Sequence, residues 1–231
     1  MTTSKYLFVT SFVICCLWIA TVQAQDSYTE NFDNRQPDVT INGVDFWSVT
    51  QGTDNSAIVQ SDLTISGSGK ALRLVGASPA VDVGRSATYG NLSPTWIRFS
   101  VRPAYSAQDP SAPTSGIGAV CFGYNGKVMA ADSSSWVDTG MDYSIDQWYD
   151  VAMNLNFETH RYDLYVTSSA SPEVQFAPVK SNLRFIDPSI NSLSRLNFSG
   201  SYATGLSDDV YLDDLSVTYI DRLQITTSPQ K

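Results

Sequence analysis

Apolar and polar residues alternate with a period of two through most of this chain, as they do in strands that bury one face. The last such run, 210–220, sets Val210, Leu212, Leu215, Val217 and Tyr219 on apolar positions and changes register once, at Asp213-Asp214. A single change of register inside an alternating run predicts a β-bulge. Residues 28–32, far away in the chain, read as its counterpart strand. Between the two, the same alternation marks 45–49, 57–60, 70–75, 80–83, 96–102, 116–124, 127–129, 148–156, 161–166 and 193–198, separated by clusters of Gly, Pro, Asn, Asp and Ser. In 96–102, Ile97, Phe99 and Val101 share one face, and Trp96, Arg98, Ser100 and Arg102 share the other. Segments 148–156 and 161–166 form the clearest hairpin, and Asn125-Gly126 marks a second turn. Residues 105–115 carry prolines and small polar residues and predict a long surface loop. Helical stripes at i, i+3, i+4 are missing over any three turns, and no motif recurs at the period of a propeller blade. About a dozen strands without a long helix predict an all-β fold, a two-sheet antiparallel jelly-roll sandwich.

The N-terminal residues change the picture of where this fold works. Lys5 precedes an apolar run over 6–20, and Val22-Gln23-Ala24 offers a cleavage site, so 1–24 reads as a secretory signal peptide. Its apolar core is too short to span a bilayer comfortably. The expected products are one jelly-roll domain over 25–223 and a C-terminal tail or start of a linker over 224–231. Such a linker leaves room for further domains of a longer parent protein. The protein is expected to be secreted, extracellular or in the cell envelope, with no membrane span after cleavage. A formal charge of −9 without clustered Lys or Arg argues against a nucleic-acid partner. Cys15 and Cys16 leave with the signal, so Cys121 stands alone in an apolar run, where a buried, inert thiol is expected.

A resemblance follows from particular segments: Glu30-Asn31-Phe32-Asp33, the strand from Gly69 to Leu74, Trp148-Tyr149-Asp150-Val151, Tyr162-Asp163-Leu164-Tyr165-Val166, and Tyr211-Leu212-Asp213-Asp214-Leu215-Ser216-Val217. Together they resemble the concanavalin A-like or LamG-like jelly-roll domains of secreted bacterial proteins. They are more loosely similar to β-sandwich carbohydrate-binding modules. The resemblance spans nearly all of the chain past the signal, and it marks a scaffold shared by lectins, hydrolases and lyases, so it does not assign an activity. It also implies one structural Ca2+ between the first and last strands, with Glu30 or Asp33 and Asp213 or Asp214 as candidate ligands. Calcium takes six to eight hard oxygens, so backbone carbonyls would have to complete such a set.

The side-chain inventory supports binding better than catalysis. Glu30, Glu158 and Glu173 are the only glutamates, and no Glu-x-Asp-x-x-Glu strand occurs. Asp146 and Asp150, either side of Trp148, are a weak substitute for a glycosidase pair. A lyase would need a Tyr base and an Arg to neutralise a uronate, for which Arg98, Arg102 and Tyr149 are available. The single histidine, His160, falls in the predicted hairpin turn. Sugar binding needs exposed aromatic faces for pyranose C–H groups and polar side chains for hydroxyls. Trp47 and Trp148 fall on core positions. Trp136 lies in a polar stretch with Asp132 and Asp138 nearby, Tyr105 and Tyr124 extend that surface, and Trp96 shares a face with Arg98 and Arg102. The leading expectation is a secreted noncatalytic carbohydrate-binding, lectin-like module whose partner is a polysaccharide or glycan. A polysaccharide lyase, or less so a glycoside hydrolase, is the alternative, and a structural or adhesion spacer the third.

Overall fold

The computed structural model describes residues 27–75, 80–86, 94–104, 109–169, 177–200 and 209–219. The predicted signal at 1–24, the tail at 224–231 and Tyr105 lie outside the described residues. Fifteen strands are present among those described: β1 (Ser27–Glu30), β2 (Val39–Thr40), β3 (Trp47–Gln51), β4 (Ala57–Gln60), β5 (Ala71–Leu74), β6 (Val81–Ser86), β7 (Thr95–Arg102), β8 (Val120–Phe122), β9 (Lys127–Asp132), β10 (Ser135–Asp142), β11 (Tyr149–Asn156), β12 (Arg161–Ser168), β13 (Lys180–Arg184), β14 (Arg195–Gly200) and β15 (Val210–Tyr219). The large sheet runs β13-β12-β11-β7-β15-β5-β4-β2, with β1 paired beside the C-terminal half of β15. Two small sheets, β10-β9-β8 and β14-β6-β3, make up the rest.

Both small sheets cover the same face of the large one. Phe99 of β7 meets Phe198 of β14 edge to face at 5.4 Å, and Tyr149 of β11 meets Phe122 of β8 at 5.6 Å. Tyr149 stands opposite Val101 and Val151 opposite Phe99, so these side chains point the same way. Tyr162 of β12 joins them, its hydroxyl donating to the carbonyl oxygen of Ala131 on β9. The inner rows Leu72-Leu212-Val101-Tyr149 and Val217-Ile97-Met153-Leu164 are buried throughout. The protein is an all-β, two-layer antiparallel sandwich.

Several expectations meet their outcome here. β1 and β15 do pair, with Tyr28 opposite Val217 and Glu30 opposite Leu215. The register of β15 against β7 shifts between Asp213 and Ser216, and Asp214 takes a φ of 49°, so the Asp-Asp pair is a bulge. The hairpin is β11 and β12. The strand expected over 116–124 shortens to Val120–Phe122. Strand β10 occupies the polar stretch around Trp136, and neither it nor β13 is among the strands that alternation predicts. Both are edge strands, and an edge needs only a broken apolar row, so alternation is faint there. Trp47 is core, as expected, but Trp148 is only half buried, with its ring 6.5 Å from that of Tyr211.

Candidate functional site

With one face of the large sheet covered, much of the other meets solvent, and cross-strand register determines which of its side chains are neighbours. One row runs Thr218-Trp96-Asn154-Asp163 across β15, β7, β11 and β12. The next runs Ser216-Arg98-Ala152-Tyr165. A third runs Asp213-Ser100-Asp150-Thr167, and beyond it Arg73, Tyr211 and Arg102 stand side by side.

At the centre of these rows the small side chain of Ala152 leaves room above β11. The Trp96 and Tyr165 rings, two strands apart in the sheet, lean together to 5.4 Å between centroids at a 43° tilt. The Arg98 guanidinium lies 5.3 Å from the Trp96 ring centroid, a cation–π contact on an exposed face. Burial, then the charge of Asp163, pushes the Tyr165 phenol above its ordinary pKa, so its hydroxyl stays protonated and can donate. Asn154 Oδ1 has no hydrogen-bond partner among the described residues. The rings, a cation, two amide or carboxylate groups and a phenol thus occupy one patch.

Carboxylates gather along the adjoining row. Ser100 Oγ donates to Asp150 Oδ1 at 2.7 Å, and Ser169 Oγ to Asp150 Oδ2 at 3.3 Å. Asp213, 5 % exposed, accepts the backbone N–H of Asp214 at 2.8 Å. Burial above all, with the charges of Asp214 and Asp33 adding to it, pushes the Asp213 carboxyl up to about 7. Asp214 is raised as well, by burial and then by Asp150 and Asp33. Asp33 therefore repels both Asp213 and Asp214, and Asp214 is repelled by Asp150 as well.

The four candidate calcium ligands divide. Glu30 is committed elsewhere: its carboxylate accepts from Arg35, from Tyr28 Oη at 3.3 Å and from the Phe32 N–H at 3.0 Å. Asp33 accepts the Lys70 N–H at 2.8 Å and Asn31 Nδ2 at 3.0 Å, and it remains within electrostatic range of Asp213 and Asp214. Among the described residues no three His, Cys, Asp or Glu side chains converge as a ready-made metal centre.

The candidate sugar-binding residues are split between the layers. Trp96 belongs to the patch on the large sheet. Trp136 and Asp138 lie on β10, where Trp136 Nε1 donates to the Pro110 carbonyl at 3.0 Å and Asp138 Oδ1 accepts the Gly140 N–H at 2.7 Å. Asp132 ties β9 to β13, accepting from Arg184 N at 3.0 Å and Nε at 2.9 Å, and that guanidinium holds its carboxyl below the usual range. Tyr124 is 57 % exposed in the turn after β8. Arg102 bonds Asp146, while Tyr149, a candidate lyase base, is buried on the inner face. Sequence reasoning missed Tyr165 and Asn154. Their alternation in the hairpin placed them on the outer face, but only the β7-β11-β12 order places them beside Trp96.

By structure the chain is similar to a sialidase (13 % identity, TM-score 0.59, over 86 % of this chain and 19 % of that one). It is similar also to the catalytic domain of the glycoside hydrolase family 131 protein from Coprinopsis cinerea (9 %, 0.56, over 82 % and 92 %). A mutant GH43 protein from Bacillus licheniformis shows the same likeness (14 %, 0.51, over 83 % and 39 %). The chain spans about a fifth of the sialidase. No family model matches the sequence, and the search of curated proteins finds no match. At these identities the likeness is one of fold, and it places the chain among β-sandwich domains.

Proposed function

We propose that the solvent-facing side of the large sheet binds a saccharide, with Trp96 and Tyr165 as the platform and Arg98, Asn154 and Asp163 reaching its hydroxyls. The observation that carries this reading is the Trp96–Tyr165 contact flanked by Arg98, since paired half-exposed rings ringed by polar groups suit a pyranose. The structural neighbours, a sialidase and two glycoside hydrolase proteins, lend support from their own carbohydrate chemistry. Glycan-array screening followed by calorimetry tests it. Trp96→Ala and Tyr165→Ala are each expected to weaken the selected glycan by about 10- to 100-fold, and Trp136→Ala to leave it unchanged. Wild-type affinity in Trp96→Ala would sink the proposal.

Hydrolysis of the bound sugar is the second reading, favoured by the carboxyl of Asp213 near 7. Asp213 would be the acid and Asp150 the base, two strands apart across Ser100, roughly 10 Å at the backbone. An inverting pair holds its carboxyl groups about 6.5–9.5 Å apart, with the attacking water between them. Release of reducing ends that Asp213→Asn abolishes would establish this reading over simple binding.

The reading extends to a weak calcium site at the same bulge, with Asp33 and one of Asp213 and Asp214 providing charge and backbone or water oxygens the remainder. Millimolar calcium is expected to raise the melting temperature by a few degrees relative to chelator. An unmoved transition would count against the ion.

A further inference from the structure

The sheet β14-β6-β3 has its own outward face, on the opposite side of the sandwich from Trp96. At its centre is Gly84, where a Cβ would overlap Arg195 Nη2 and Asn197 Oδ1. That missing side chain lets the Arg195 guanidinium lie across three strands. Nε donates to Asn197 Oδ1 at 2.7 Å, Nη1 to Ser86 Oγ at 2.8 Å and Nη2 to Ser48 Oγ at 3.1 Å. A guanidinium has five N–H donors, so two remain, one on each Nη. All three acceptors are neutral. Among the described residues no carboxylate pairs with Arg195, although the chain carries 23 acidic residues against 14 basic ones. The cation is held in place by its neighbours and its charge is left unneutralised.

A cavity of about 360 Å³ opens beside it, lined by Thr50, Asp82, Arg195, Asn197, Phe198 and Ser199. That volume lies in the range of small-ligand sites. We propose that this cavity binds an acidic saccharide through its carboxylate, a uronate residue, with Arg195 taking the carboxylate. The planar fork favours a carboxylate, which accepts two parallel N–H groups. Asp82 sets the polarity of the site. Its carboxylate repels the anionic end and accepts from hydroxyls, so the ligand enters with its carboxylate at Arg195 and its ring hydroxyls toward Asp82, Thr50 and Ser199. The site is independent of the saccharide face on the large sheet.

Calorimetry or ligand-detected NMR on the full chain tests this with D-glucuronate, its methyl ester and acetate as probes. Glucuronate is expected to bind, more weakly as salt rises, and the ester and acetate each at least tenfold less tightly. Acetate binding as well as glucuronate would show an adventitious ion only and overturn the proposal. So would an ester that binds equally. Arg195→Gln is expected to lose glucuronate at least tenfold while Trp96→Ala keeps it. The reverse pattern, or Arg195→Gln that lowers the melting temperature yet binds like wild type, would make Arg195 a staple between strands and nothing more. Comparison of the three probes on wild-type protein decides the matter even if the Arg195 variant does not fold.

Discussion

Trp47→Ala should lower the stability of the fold by about 3–5 kcal/mol, the range for removing a large aromatic from a core. Trp47 is 1 % exposed on β3. Its ring stands 5.9 Å from Phe32, which follows β1, and 6.1 Å from Phe198 on β14, which in turn meets Phe99 of the large sheet. The tryptophan thus links this small sheet to Phe32 and, through Phe198, to β7 of the large sheet. For a domain of this size the loss corresponds to roughly 10–15 °C in melting temperature. Trp47→Phe should cost much less. The indole Nε1 is buried with no hydrogen-bond partner among the described residues, and a phenyl ring removes that orphaned donor while keeping most of the contact area. Thermal unfolding of both variants checks the pair, and equal losses would mean the indole nitrogen matters to the fold.

Asp213→Asn should stabilise the chelator-treated protein at pH 8 and make little difference at pH 4. Burial raises the folded carboxyl to about 7, whereas in the unfolded chain it titrates near 4. A group raised on folding contributes stability fully below its unfolded pKa and loses it as pH climbs through the folded one. The wild-type protein therefore forfeits stability, on the order of 4 kcal/mol, between about pH 4 and pH 7. Asparagine keeps an oxygen for the Asp214 N–H without the charge. Denaturant melts across this window should show the wild-type curve falling relative to the variant. Parallel curves would mean that Asp213 is not buried as a carboxyl. Added calcium should close the gap if the ion occupies the bulge, because a cation beside Asp213 restores the ionised form.

Much of the architecture was legible from alternation alone. A run such as 96–102 states its two faces without reference to any partner, and the break at Asp213-Asp214 marked a bulge because a strand cannot change face without an extra residue. The pairing of β1 with β15 followed from two runs whose apolar rows both needed covering. β10 and β13 were hidden because edge strands bury little, so their sequences carry turn-like polarity. Trp148 was misread for a different reason: its position keeps the alternation of β11, one step before the inward Tyr149, and so falls on the outer face beside Tyr211.

The candidate sites divide along the same line. That Trp96, Arg98 and Asp150 face away from the core was written in the chain, since Ile97, Phe99, Tyr149 and Val151 between and beside them hold the apolar row. That Tyr165 meets Trp96, that Asp213 and Asp150 flank Ser100, and that Arg195 rests on Gly84 depended on strand order and on the absence of one Cβ. Alternation is a local property, set by each residue against the next, whereas adjacency across strands comes from long-range pairing that no single segment encodes. The chain determined two layers and their inward rows; only the assembled sandwich decided which outward side chains became neighbours.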